Sequence, residues 1–173
     1  MDTHKTIIIT GTSSGIGFTL AEYFGKQGHH VYGLSRKFVE SPHFTSIPTD
    51  ITKKEQINSA IKQIILKENR IDVLINNAGM GMVGAIEDTS KENITKLFDL
   101  NLIGSVQMIT AVMPKMREQK SGQIINISSI GSEMGLPFRG FYSASKAALD
   151  KITEAIRYEI YPWNIQVCSL HLG

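Results

Sequence analysis

Tyr142 and Lys146 stand four residues apart in the run FYSASKAAL. On a helix that spacing puts both side chains on one face. A free phenol ionises near pH 10, at about the limit of usefulness for a base in neutral water. An ammonium held beside it, or another positive charge nearby, favours the phenolate. Such a pair can give a proton to a carbonyl oxygen or take one from an alcohol. Ser129 lies thirteen residues before Tyr142 and follows an apolar run. Its hydroxyl is suited to bind and polarise the same substrate oxygen. Asn101, in a long helical stretch, is suited to hold a water behind Lys146 and connect the pair to solvent. Each feature is common in isolation; their joint order along one chain is what carries information.

The first apolar run ends in a second chemical device, TGTSSGIG at Thr10 to Gly17. Gly11 permits a tight turn out of a strand, Gly15 lets a pyrophosphate approach the backbone, and Gly17 lets the next helix pack closely on a sheet. Ser13, Ser14, Gly15 and Ile16 surround the helix start, where free N–H groups and the helix dipole favour phosphate. The spacing is G-x-x-x-G-x-G, and no Gly-Lys-Ser/Thr follows, so a nucleoside-triphosphate loop is excluded. A Gly/Ser-rich turn that binds nothing has the same local sequence, and the acid/base residues downstream are what weigh against it. A phosphate-binding turn and a Tyr–Lys pair in one chain together imply a nicotinamide-dependent oxidoreductase.

The residues after the second strand bear on which dinucleotide. An acidic residue there holds the ribose 2′-hydroxyl of NAD. Here the run is Gly33-Leu34-Ser35-Arg36-Lys37, with two cations and no acid. Arg36 can grip a 2′-phosphate bidentately and Ser35 can hydrogen-bond it, which favours NADP(H) over NAD(H). Two ordinary surface cations are the alternative.

The elements that must position these groups follow from hydrophobic pattern. Thr6–Ile9 is β-branched throughout, as in a strand buried on both faces. Further strands are expected at His30–Ser35, Phe44–Thr49, Ile71–Asn76, Gln123–Ser128 and Ile165–Leu170. Helices are expected from Gly15 to Gln27, behind Thr52, from about Leu97 to Arg117, and from Tyr142 to Tyr161, with Pro162 as terminator. Thr52 and Glu55 have capping-box spacing. Strands alternating with helices predict an α/β fold: a doubly wound, Rossmann-like parallel sheet of about six strands with helices on both faces. One dinucleotide-binding domain over residues 1–173 is expected.

Bulk properties narrow the class. The chain has 173 residues, 42% hydrophobic, with a formal net charge of +2. That is enough for a sizeable core. No basic stripe points to nucleic acid or a membrane surface. No apolar run reaches the roughly 18 residues of a membrane span, and the N-terminus lacks a signal peptide's core. The single cysteine, Cys168, excludes an intrachain disulfide and is expected in the core. No metal site is expected, and the whole suits the cytoplasm.

The motifs TGTSSGIG, Asp50, NNAG at Asn76 to Gly79, Asn101, Ser129, Tyr142 and Lys146 span nearly the whole chain. In that combination the chain resembles the short-chain dehydrogenase/reductase family. The resemblance implies hydride transfer between NAD(P) and a carbonyl/alcohol pair. It assigns Tyr142 as acid/base and Ser129 as orienter of the substrate. It gives Lys146 the tuning of the tyrosine and the binding of the nicotinamide ribose, and Asn101 completion of a proton relay. It also implies that Asp50 and the backbone of Ile51 contact adenine, and that Asn77, Ala78 and Gly79 border the adenosine side. Dimers or tetramers paired through the helices around Asn101 and Tyr142 are implied as well. Family members run to about 250 residues. Here Leu172-Gly173 stands where a Pro-Gly turn would contact the carboxamide, so the last strand and substrate lid are expected to be missing and the domain incomplete at its C-terminus.

Two segments border the expected substrate side: Met80 to Ile86, and Met134 to Phe138. Both are apolar and contain Met and Gly, as an adaptable apolar pocket would. They resemble branches of the family that act on bulky lipophilic carbonyls; methionines filling core gaps are the alternative. Two further functional readings stay open. One is a catalytically impaired dinucleotide-binding or dimerisation module. The other is an epimerase or dehydratase on the same scaffold.

Overall fold

The computed structural model describes residues 4–173. Met1 to Thr3, the first residues of the N-terminal run read above, lie outside them. The chain runs β1 (Thr6–Thr10), α1 (Gly15–Lys26), β2 (His30–Ser35), β3 (Thr45–Pro48), α2 (Lys54–Glu68), β4 (Val73–Asn76), α3 (Lys91–Phe98), α4 (Ser105–Gln119), β5 (Gly122–Ser129), α5 (Gly140–Ile160) and β6 (Ile165–Leu172). The six strands form one sheet in the order β3-β2-β1-β4-β5-β6, and every pairing is parallel. Strand order therefore reverses between β1 and β4, and a crevice opens there at the carboxyl ends of the strands.

β1 shows why the sheet sits where it does. Its five residues are all buried, and alternate isoleucines feed two different cores. Ile8 joins α2 and α4 residues such as Ile57, Ile61, Met108 and Val112, with Ile160 of α5. Ile7 and Ile9 join Ala21, Phe18 and Phe24 of α1. Helices cover both faces, but unevenly: α2, α4 and α5 line one, while α1 is the helix packed on the other. Cys168 sits on that second face of β6 and is only partly buried, which corrects the expectation of a core cysteine.

A buried polar ladder pins the register at the centre of the sheet. Asn76 Nδ2 donates to Asn126 Oδ1 at 2.9 Å, and Asn126 Nδ2 donates to Thr153 Oγ1 at 2.8 Å. The Thr153 hydroxyl in turn donates to the Leu149 carbonyl. One-residue slippage of β4 against β5 would turn these amides towards α1 and leave them unpaired.

Three local expectations are corrected. Thr52 is not a helix cap: α2 starts two residues later with Lys53 at the N-cap, because the Thr52 hydroxyl and amide both donate to Asp50 Oδ1 instead. The long helical stretch begins earlier, at Lys91, where Ser90 accepts a hydrogen bond from the Asn93 amide as N-cap, and it is interrupted by a π-helical turn over Asp99–Gly104. Finally, the helical stretch Lys91–Gln119 is long and apolar enough to cross a membrane by length and composition. Its apolar side chains Leu97, Met108, Ile109, Val112 and Met116 are nevertheless buried within the domain, the pattern of a core helix.

Candidate active site

The glycine turn leaves β1 with Gly11 at φ +76° and Gly15 at φ +58°, conformations that side chains disfavour. Close approach matters as much as torsion. A Cβ on Gly17 would lie 2.4 Å from both the Gly11 carbonyl oxygen and Asn77 Nδ2. Gly15, by contrast, faces open space, and Ser13 to Ile16 are exposed. No side chain caps the start of α1, so the first-turn N–H groups stay available to an anion.

Asn77 ties this turn to the neighbouring strand. Its Nδ2 donates to the Thr10 carbonyl at 2.9 Å and to the Gly11 carbonyl at 3.3 Å. The Thr10 hydroxyl accepts from the amides of Asn77 and Ala78, each at 3.0 Å. The Asn77 amide thus holds the walls of the crevice together rather than facing into it.

The crevice is a groove of about 900 Å³. It brings together Gly11, Ser13, Ser14, Ile16, Ser35, Arg36, Asp50, Ile51, Asn77, Ala78 and Gly79, all singled out in the sequence. It adds Leu34, Thr49, Lys53, Lys96, Asp99 and Leu100, together with Thr52, read as a helix cap, and Met80, read on the substrate side. Of these, Thr52 and Lys53 continue the Asp50-Ile51 run, a signal the sequence did contain. An open, glycine-floored groove with free helix amides at one end and a guanidinium at the other fits a dinucleotide.

At the Arg36 end, Asp50 is half-buried. Burial alone would raise its pKa, but hydrogen bonds from the Thr52 amide and hydroxyl, with the charges of Arg36 and Lys53, hold it below the usual range. Arg36 is exposed. Ser35 is buried and its hydroxyl donates to the Lys37 carbonyl at 2.7 Å, so its proton is engaged within the turn and Arg36 is left as the stronger anion ligand.

The candidate acid/base residues gather at the carboxyl end of β5. Lys146 is 6% exposed, and its Nζ donates to the Ile127 carbonyl at 2.7 Å. Burial lowers its pKa, opposed by the charge of Asp150. Ser129 Oγ accepts from the Gly131 amide at 3.1 Å, which leaves the hydroxyl proton free to donate. Tyr142 lies in the first turn of α5, partly exposed, one turn before Lys146.

Asn101 sits in the π-turn and is 1% exposed. Its Oδ1 accepts from the Met80 amide at 2.9 Å, and its Nδ2 donates to the Met80 carbonyl at 3.0 Å and to Ser145 Oγ at 3.1 Å. The side chain therefore ties the NNAG turn to α5. A Cβ on Gly79 would lie 3.3 Å from Asn101 Oδ1 and 3.6 Å from Lys146 Nζ. Gly79 is thus the point where the groove meets the acid/base residues.

On the outer side of this corner stand exposed apolar side chains: Val83, Ile86, Ile130, Met134 and Phe138. The Gly84 amide donates to the Phe138 carbonyl at 2.8 Å, so the two segments expected to border a substrate do meet.

Comparison with known proteins places this geometry. The sequence pattern of the short chain dehydrogenases matches residues 5–173. A 3-ketodihydrosphingosine reductase of Bacteroides thetaiotaomicron is 46% identical over 170 residues, covering 98% of this chain and 63% of that reductase. A short-chain dehydrogenase structure from Streptomyces avermitilis superposes with a TM-score of 0.93 at 33% identity, covering 98% of this chain and 65% of that one. A structure of ElxO with NADP bound superposes with a TM-score of 0.92 at 29% identity, covering 97% of this chain and 73% of that one.

Proposed function

This chain belongs to the short-chain dehydrogenase family, and from that premise we propose that it supplies the cofactor-binding and proton-transfer parts of an NADP(H)-dependent oxidoreductase that interconverts apolar ketones and secondary alcohols. The observation that carries the proposal is the meeting of two things at Gly79. One is the groove floored by the glycine turn; the other is Lys146, whose Nζ would lie 3.6 Å from a Cβ at Gly79, with Tyr142 one helical turn before it and Ser129 at the end of β5.

A bound nicotinamide dinucleotide supplies or accepts the hydride. The chain's own residues handle the rest. Backbone amides of the turn and the start of α1 hold the pyrophosphate, and Arg36 the 2′-phosphate, while Asp50 and Ile51 border adenine. Ser129 donates to the substrate oxygen and orients it. In the reductive direction Tyr142 releases its proton to that oxygen as the carbon gains hydride; in the oxidative direction it takes the proton back. Lys146, a buried ammonium, favours the phenolate and holds ribose hydroxyls. Asn101 keeps Gly79 and Met80 in place beside it.

The apolar corner supports a lipophilic carbonyl compound, and the relative named 3-ketodihydrosphingosine reductase supports a long-chain keto lipid among the candidates. Exposed Ile103, Ile152 and Tyr158 on the helices that carry Asn101 and Tyr142 support pairing of two copies there. A cytoplasmic location belongs to the same reading.

The test is Tyr142→Phe. Turnover of a lipophilic ketone should fall by about 10² to 10⁴-fold, with NADPH affinity preserved. Normal turnover in the variant would reject Tyr142 as the acid/base group.

A further inference from the structure

Asp150 lies one helical turn beyond Lys146 and two beyond Tyr142, on the same face of α5. Its side chain is turned inward, 14% exposed. Its Oδ2 accepts from Ser128 Oγ at 3.0 Å and pairs with His171 Nε2 at 3.2 Å. Burial alone would raise its pKa. The Ser128 hydroxyl and the charge of His171 hold it below the ordinary range. The other ring nitrogen of His171, Nδ1, lies 3.0 Å from Glu133 Oε1. The ring thus bridges the two carboxylates.

This cluster joins three segments: α5, the turn that follows Ser129, and the end of β6. Ser128 and His171 are direct register partners in the sheet. Ser129, the residue assigned to orient the substrate, sits between Ser128 and the turn that carries Ser132 and Glu133. The reaction proposed above gives no task to Asp150, His171 or Glu133, yet they frame two of its three working side chains.

We propose that Asp150 is a positioning residue of the active site, acting on Lys146 through its negative charge and on Ser129 through the clamp formed with Ser128, His171 and Glu133. The proposal deepens the reading of Tyr142, Lys146 and Ser129 given above and rests on it for its effect on turnover. A plain structural carboxylate would contribute to stability alone. A positioning carboxylate also changes how Lys146 titrates and how the reaction depends on pH.

Asp150→Asn in the full chain, with isotope-labelled lysine, separates the two. Without cofactor, the NMR titration of Lys146 should move to lower pH, because the attraction that favours its ammonium is gone. The high-pH limb of turnover should move the same way, and kcat should fall by about tenfold or more, with NADPH affinity within about twofold of the parent. A Lys146 titration that superimposes on the parent's overturns the proposed link to Lys146. Should Asp150→Asn fail to fold, Glu133→Gln and His171→Gln keep the test alive. They should lower kcat several-fold at unchanged NADPH affinity, and an unchanged kcat in both overturns the clamp. If the parent reduces no lipophilic ketone while the Lys146 titration still moves, the activity reading fails and the hold of Asp150 on Lys146 stands.

Discussion

At the residue scale, the proposed preference for NADP(H) turns on Arg36. It is exposed at the end of the groove, it acts on Asp50 by charge, and the neighbouring Ser35 hydroxyl is already engaged with the Lys37 carbonyl. Removing a bidentate guanidinium from a phosphate costs about 1.5–3 kcal/mol. Arg36→Ala should therefore weaken NADPH by roughly ten- to a hundredfold, leave NADH nearly unchanged, and reduce the salt dependence of NADPH binding. Fluorescence titration of both cofactors at two ionic strengths checks this. Equal losses for both would remove Arg36 as the phosphate ligand. Much of the candidate site was legible in residue types alone. The glycine turn, Arg36, Ser129, Tyr142 and Lys146 each need a particular side chain, or none, for a chemical reason. What could not be read was where a hydrogen-bonding group spends its bonds. The Asn101 side chain spends its bonds on Met80 and Ser145. Asp150 shares a helix face with Lys146 at a spacing visible in the sequence. Its importance shows only when β6 brings His171 against it.

At the scale of elements, the ladder from Asn76 through Asn126 to Thr153 couples β4, β5 and α5 across a buried surface. Asn126→Ala leaves the Asn76 amide and the Thr153 hydroxyl without partners, and an unsatisfied buried polar group costs about 1–3 kcal/mol. The denaturant midpoint should fall accordingly with the slope unchanged, and a midpoint equal to the parent's would show the ladder to be dispensable. Strand order and the alternation of strands and helices could be foreseen, because β-branched runs such as Thr6–Ile9 and the turns between them encode a parallel sheet. Helix boundaries were less legible. Thr52 has the spacing of a cap, but Asp50 competes for its hydroxyl and wins. The π-turn at Asp99–Gly104 leaves no mark in hydrophobic periodicity. It is stabilised by contacts far along the chain, such as Ile51 against Gly104, where a Cβ would come within 2.9 Å of the Ile51 side chain.

For the molecule as a whole, four carboxylates in different places are held below their ordinary values: Glu22, chiefly by the Ser41 hydroxyl, and Asp50, Glu68 and Asp150. Asp50 is held by Thr52, Arg36 and Lys53 against the opposing effect of burial. Glu68 is held, again against burial, by the Tyr32 hydroxyl and by His30, which lies 2.6 Å away. Asp150 is held by the Ser128 hydroxyl and His171, against burial. A lowered folded-state pKa means that the folded chain binds fewer protons than the unfolded one. The associated stability is complete above the ordinary values of 4.5 for Glu and 3.8 for Asp, and it is lost as pH falls through the lowered values. Urea midpoints should therefore decline steeply as pH drops below 4.5, and Asp150→Asn should flatten part of that decline; a midpoint independent of pH there would contradict the four environments. The parallel sheet has one more consequence. Because all six strands run the same way, the αβ connections near Gly28, Asn69, Lys120 and Asn164 lie at the end opposite the groove. The groove and the Ser129–Tyr142–Lys146 corner lie at the other end, so a fluorophore, an affinity handle or a surface tether attached at Lys120 would leave both in their own surroundings.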